Sequence, residues 1–189
     1  MKKLLVLFLL CVPALAQDSH PIAKGDWNLS IFATGGHSAN GDNLDGAIVT
    51  SGVLIGKVLT SDHGPGFIRG KFEIGGEVVP LNLFWQGDQA TYGFGITPVI
   101  FKWHFTSSRK IVPYIELAGG MLWSSEGVPP GSANFNFTPQ AGFGFQFLRS
   151  DKKAISLSAE YMHISNGGRV APNPGINTIQ VKVAFHWFK

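Results

Sequence analysis

The chain has 189 residues, a formal net charge of +3, 44% hydrophobic residues and only 14% charged ones. A soluble domain carries about a quarter charged residues, so this surface is poorly equipped for water, and so small a charge gives no reason to expect a nucleic-acid partner. Beyond the first segment no apolar run reaches the roughly 18 residues that a spanning helix needs, which excludes a helical membrane protein.

The chain opens with Met1-Lys2-Lys3, then an apolar stretch from Leu4 to Val12 and a small-x-small site at Ala14-Leu15-Ala16. This is the pattern of a secretory signal peptide, predicted as residues 1–16, with residues 17–189 forming one mature domain. The single cysteine, Cys11, falls inside the signal, so the mature chain has no disulfide and no thiol chemistry. Loss of Lys2 and Lys3 leaves the mature charge near +1.

The strand signal then recurs along the chain. Trp27, Leu29, Ile31 and Ala33 alternate with Asn28, Ser30 and Thr34. Ala47 to Thr60 is apolar on both faces and is the least distinct strand. Phe72, Ile74 and Val78 alternate with Lys71, Glu73 and Glu77. In the segment Thr91–Thr106 the apolar phase runs through Tyr92, Phe94 and Ile96. It resumes after Pro98 at Val99, Phe101, Trp103 and Phe105, which predicts a β-bulge near Thr97-Pro98. Ile115, Leu117, Met121 and Trp123 mark a fifth strand. Phe135, Phe137, Ala141, Phe143, Phe145 and Phe147 mark a sixth, interrupted by Pro139. Ala154–Ser165 is the seventh, and Ile179, Val181, Val183, Phe185 and Trp187 lie on one face of the eighth. Eight strands of alternating polarity, rich in aromatics and glycine, predict an all-β fold: an antiparallel up-and-down transmembrane β-barrel of the outer membrane.

Long connections are expected near 37–46, 79–90, 125–133 and 166–176, and short ones near 61–66, 107–111 and 149–153. Alternating loop lengths, a polar face of Gly, Asn, Gln and Ser, and the aromatic terminal strand ending Phe185-His186-Trp187-Phe188-Lys189 favour a membrane barrel. The competing reading is a secreted, lipid-carrying barrel with its apolar face inside. An even strand count puts both termini in the periplasm, which sets the 166–176 connection at the cell surface.

The chemistry gathers at that connection. His163 and Ser165 continue the apolar face of the seventh strand, followed by Asn166-Gly167-Gly168. Same-face neighbours on a strand lie about 7 Å apart at Cα, within reach of an imidazole acting as base on a serine hydroxyl. Asn177 opens the same face of the last strand after the return and is placed to orient the imidazole. Asn166, or the backbone N–H groups of Gly167 and Gly168, are the candidate oxyanion donors. Strand end plus turn chemistry is the plain alternative for the same residues. Asn40-Gly41-Asp42-Asn43-Leu44-Asp45-Gly46 faintly resembles a calcium loop but lacks the closing Glu, and no metal or other cofactor is expected.

His163, Ser165, Asn166 and Gly168, with the return Pro172-Asn173-x-Gly175-Ile176, resemble the active-site hairpin of the lipid A 3-O-deacylases. The resemblance extends through Pro98-Val99-Ile100-Phe101, Pro113 to Gly119, Phe135-Asn136-Phe137 and Gly142-Phe143-Gly144, covering roughly residues 90–189. It implies an outer-membrane serine esterase, needing no metal, that removes the 3-O-linked acyl chain from lipid A of lipopolysaccharide. Ser165 is then the nucleophile, His163 the base, and Asn166 with the following glycines the oxyanion site. One position departs from the family: Asn177 stands where those deacylases carry Glu. Its carbonyl can hold the imidazole but brings no negative charge; Glu160 points to the other face, while Asp42, Asp45, Asp88 and Glu126, in the surface connections, stay open as substitute acids. A non-catalytic outer-membrane barrel, structural or adhesive, is the alternative that this departure motivates.

Overall fold

The computed structural model describes residues 20–39, 46–150 and 152–189. The signal segment, Cys11, and the Asn40–Asp45 part of the candidate calcium loop, Asp42 and Asp45 included, lie outside the described residues. Eight strands form the chain's framework: β1 Trp27–Ser38, β2 Gly46–Val58, β3 Gly70–Gln86, β4 Gln89–Phe105, β5 Ile111–Ser124, β6 Phe135–Ser150, β7 Lys153–Ile164 and β8 Ile176–Phe188. Each pairs antiparallel with the next, and β1 closes on β8, giving an eight-stranded up-and-down barrel. Closure leaves no strand edge. That matters in lipid, where an unpaired backbone group costs several kcal/mol because no water can satisfy it. The seam is tied at its end by reciprocal bonds between Trp27 and Lys189, at 2.6 and 2.8 Å.

The alternation decides which face turns out. Leu29, Ile31, Ile115, Leu117, Val181 and Phe185 are exposed on the outside, whereas Asn28, Ser30, Glu116, Gln180 and Lys182 are buried within. A polar lumen and an apolar exterior are what a bilayer requires, and they overturn the lipid-carrying alternative, which needs the reverse. Tryptophans ring both ends: Trp27, Trp103 and Trp187 near the termini, Trp85 and Trp123 at the other end, matching interfacial girdles.

The lumen is layered. Ile22, Val58, Val112, Ala154 and Phe188 form an apolar plug at the terminal end. Ile48, Phe84, Leu122, Val128, Met162, Ile164 and Ile176 form another at the opposite end. Between them Lys182 reaches Glu77 at 2.6 Å, Glu160 at 3.3 Å and Glu116 at 3.7 Å, and Lys102 pairs with Glu116 at 3.0 Å. His104 bridges Glu73 at 2.8 Å and Gln146 at 2.9 Å. The two plugs explain why β2 looks apolar on both faces: Ile48 and Val58 point inward as plug residues, while Val49, Val53 and Ile55 meet lipid.

The expected bulge is present. Pairing of β4 with β5 shifts between Ile96 and Val99, and the β3–β4 ladder shifts between Gly75 and Glu77. Two expected connections are corrected. Residues 79–90 are not a long loop: β3 runs to Gln86 and turns into β4 through Gly87 and Asp88, with Gly87 at φ +64°. Pro80 is absorbed by a second register shift between Val79 and Asn82. Conversely, the connection at 61–66 extends over residues 59–69 and carries a 3-10 turn, Gly66–Ile68.

Candidate active site

The register of the last hairpin assembles the site. His163 on β7 lies directly across from Asn177 on β8, and the His163 Nδ1 to Asn177 Oδ1 distance is 2.7 Å. An amide oxygen only accepts, so Nδ1 must carry the proton. This fixes the tautomer that leaves the Nε2 lone pair of a neutral ring free to act as a base. Behind these outward side chains the same strands send Met162, Ile164 and Ile176 into the apolar plug beside Val128. The hairpin is thus held from inside while its chemistry faces out.

Ser165 lies two residues beyond His163, half-buried, where it exchanges both backbone hydrogen bonds with Phe137 of β6, at 2.7 and 3.2 Å. Continuing this register, Pro139 faces His163 but has no N–H to give, and the regular β6–β7 ladder begins only at Gln140 and Met162. Pro139 therefore removes one interstrand bond at the catalytic candidate itself. On its other side it sits opposite Gly119 of β5.

Gly175 is the residue whose role the hairpin motif alone does not reveal. It has φ +66°. A Cβ there would stand 2.9 Å from His163 Cε1 and 3.4 Å from Nε2. The absent side chain makes room for the reactive edge of the imidazole, and the left-handed backbone turns the return strand into register with β7. The only signal in the sequence was an Asn-x-Gly in a tight return.

Among the predicted oxyanion groups, Asn166 is buried and shapes the loop. Its Nδ2 donates to the Val170 carbonyl at 2.8 Å, and its backbone N–H donates to Asn173 Oδ1 at 2.9 Å. Among the described residues, one side-chain amide N–H of Asn166 is then left over. Gly167 and Gly168 follow with φ +68° and +75° and are exposed. Phe137 packs beneath Gly167 at 3.4 Å from where a Cβ would be.

Among the described residues the other acids make no contact with this group. Glu160 points into the lumen beside Lys182, as its strand phase predicts. Asp88 and Glu126 are exposed, and among the described residues the hydrogen-bond partner of the His163 ring is Asn177.

The family model of lipid A 3-O-deacylase (PagL) matches residues 56–186. The crystal structure of the outer membrane enzyme PagL superposes with a TM-score of 0.65 at 18% identity, covering 82% of this chain and 97% of that one. Ail, the attachment invasion locus protein of Yersinia pestis, is similar at a TM-score of 0.54 and 10% identity, covering 88% of this chain and 99% of that one. These two likenesses describe the barrel. No curated protein sequence matches the chain.

Proposed function

The chain belongs to the lipid A 3-O-deacylase family, and from that membership we propose that it removes the 3-O-linked acyl chain from lipid A of lipopolysaccharide, as a serine esterase with Ser165 as nucleophile and His163 as general base. Asn177 orients the imidazole. The observation that carries this reading is the 2.7 Å contact between His163 and Asn177 on an otherwise lipid-facing surface. A bland strand end has no need to fix an imidazole tautomer there.

The steps follow from the groups present. His163 Nε2 takes the hydroxyl proton as Ser165 Oγ adds to the ester carbonyl. The oxyanion is met by the available N–H donors of Gly167, Gly168 and Asn166. Collapse breaks the bond to the sugar oxygen, which leaves with the proton held by His163. Water, deprotonated by the same imidazole, then adds to the acyl-serine carbonyl, and collapse releases the fatty acid as Ser165 Oγ takes back the proton from His163. Because the site faces sideways into the outer leaflet, the ester arrives laterally and the substrate stays in its membrane.

Mass spectrometry of lipid A from cells expressing the protein tests the proposal. Wild type is expected to strip one ester-linked acyl chain, and Ser165→Ala to leave lipid A intact while still folding as a heat-modifiable barrel. An unchanged lipid A profile with folded wild-type protein overturns the proposal in favour of a non-catalytic barrel.

A further inference from the structure

A groove of about 430 Å³ opens beside Asn166 at the loop end of the barrel, lined by Ala133, Phe135, Asn166, Arg169 and Val170. The guanidinium carbon of Arg169 lies 5.5 Å from the Phe135 ring centroid, so Arg169 sits over an aromatic floor. That floor continues toward the nucleophile: Phe135 packs edge-on against Phe137 at 5.3 Å, and Phe137 pairs with Ser165. Asn166 clamps the loop between them, bonding Val170, so Arg169 is carried on a braced turn.

The charge distribution singles out this side chain. Of the Lys and Arg residues, Arg169 is the one in the connections at the loop end; the others lie in the lumen, at the terminal end or in the predicted signal. Among the described residues no carboxylate lies within ion-pair distance of it. An exposed guanidinium over a ring, with no carboxylate partner among the described residues, offers a planar fork that fits a phosphate better than a lysine would.

We infer that the Arg169–Phe135 groove is a headgroup subsite in which the guanidinium holds a phosphate of the substrate's glucosamine disaccharide, setting the ester over Ser165. The substrate class rests on the deacylase reading; the subsite itself is a binding claim and is tested as one. Folded Ser165→Ala protein in detergent micelles is titrated with bisphosphorylated lipid A and with its dephosphorylated counterpart. The phosphorylated lipid is expected to bind roughly tenfold tighter, as one charge-assisted contact allows, and adding Arg169→Ala to remove that preference while changing affinity for the dephosphorylated lipid little. Equal affinity for the two lipids in the Arg169-bearing protein, or a preference that survives Arg169→Ala, overturns the inference. An Arg169-dependent preference without turnover by wild type leaves the subsite standing and sinks the deacylase reading. Turnover without any phosphate preference does the opposite.

Discussion

At the residue scale, the telling position is Asn177. Its Oδ1 accepts from His163 Nδ1 at 2.7 Å, so it orients the ring as an acid would, but it cannot offset the positive charge that develops when the imidazole takes the serine proton. A hydrogen bond to a charged group is stronger than a neutral one by about 1 kcal/mol. Asn177→Glu is therefore expected to raise the deacylation rate roughly fivefold, read by single-turnover kinetics, and Asn177→Leu to lower it by removing the orienting oxygen. Gly175 makes a second prediction. Gly175→Ala incurs about 1–2 kcal/mol of left-handed backbone strain and in addition pushes the imidazole edge, 2.9 Å away. Gly131, at φ +78° with open space around it, shares the backbone strain without the contact. Activity measured on both alanine variants should fall by at least roughly tenfold for Gly175→Ala and stay near wild type for Gly131→Ala; equal losses would mean that Gly175 serves only the turn.

At the element scale, the segment before β1 behaves as a stopper. Ile22 is fully buried in the terminal plug, and its carbonyl accepts from Lys71 Nζ at 2.6 Å. His20 Nδ1 accepts from the Ile22 backbone N–H at 3.1 Å, and Nε2 lies 3.1 Å from the Ser108 carbonyl. Burial, aided by Lys71 nearby, lowers the His20 pKa below its ordinary value. The released segment therefore binds the proton more readily than the docked one. Docking is fully favoured above the ordinary histidine pKa of about 6.5 and weakens as pH falls below it. Hydrogen exchange of residues 22–26 should accelerate between pH 7.5 and pH 5 relative to the strands, and His20→Gln should flatten that dependence. The β3–β4 hairpin teaches a different lesson: a proline such as Pro80 ends a strand only where the sheet cannot bulge around it.

At the scale of the whole molecule, the lumen holds the barrel together through charges sealed between two apolar plugs. Lys182 touches three carboxylates, those of Glu77, Glu116 and Glu160. Removing one partner of a buried ionic cluster strands the others, at a cost of about 3–5 kcal/mol. Lys182→Met is expected to lower stability by that amount in urea titrations of the refolded barrel, with the slope of the transition unchanged. A variant as stable as wild type would show that water enters the lumen freely and screens the carboxylates.

Alternation of side chains determined the fold from sequence alone: a period of two is local, and Trp27-Leu29-Ile31 or Phe143-Phe145-Phe147 declare it without help from distant residues. The same local phase put His163 and Ser165 on the outer face and Glu160 on the inner one. What required tertiary structure was everything that depends on register between strands. Only pairing could set Asn177 opposite His163, bring Pro139 against the same histidine, and place Gly175 under its ring. Ile48 and Val58 likewise look surplus within their own strand, because the plugs they join are built from residues far apart in sequence. Patterns along one strand follow from covalent geometry, whereas contacts across strands exist only once the barrel has closed.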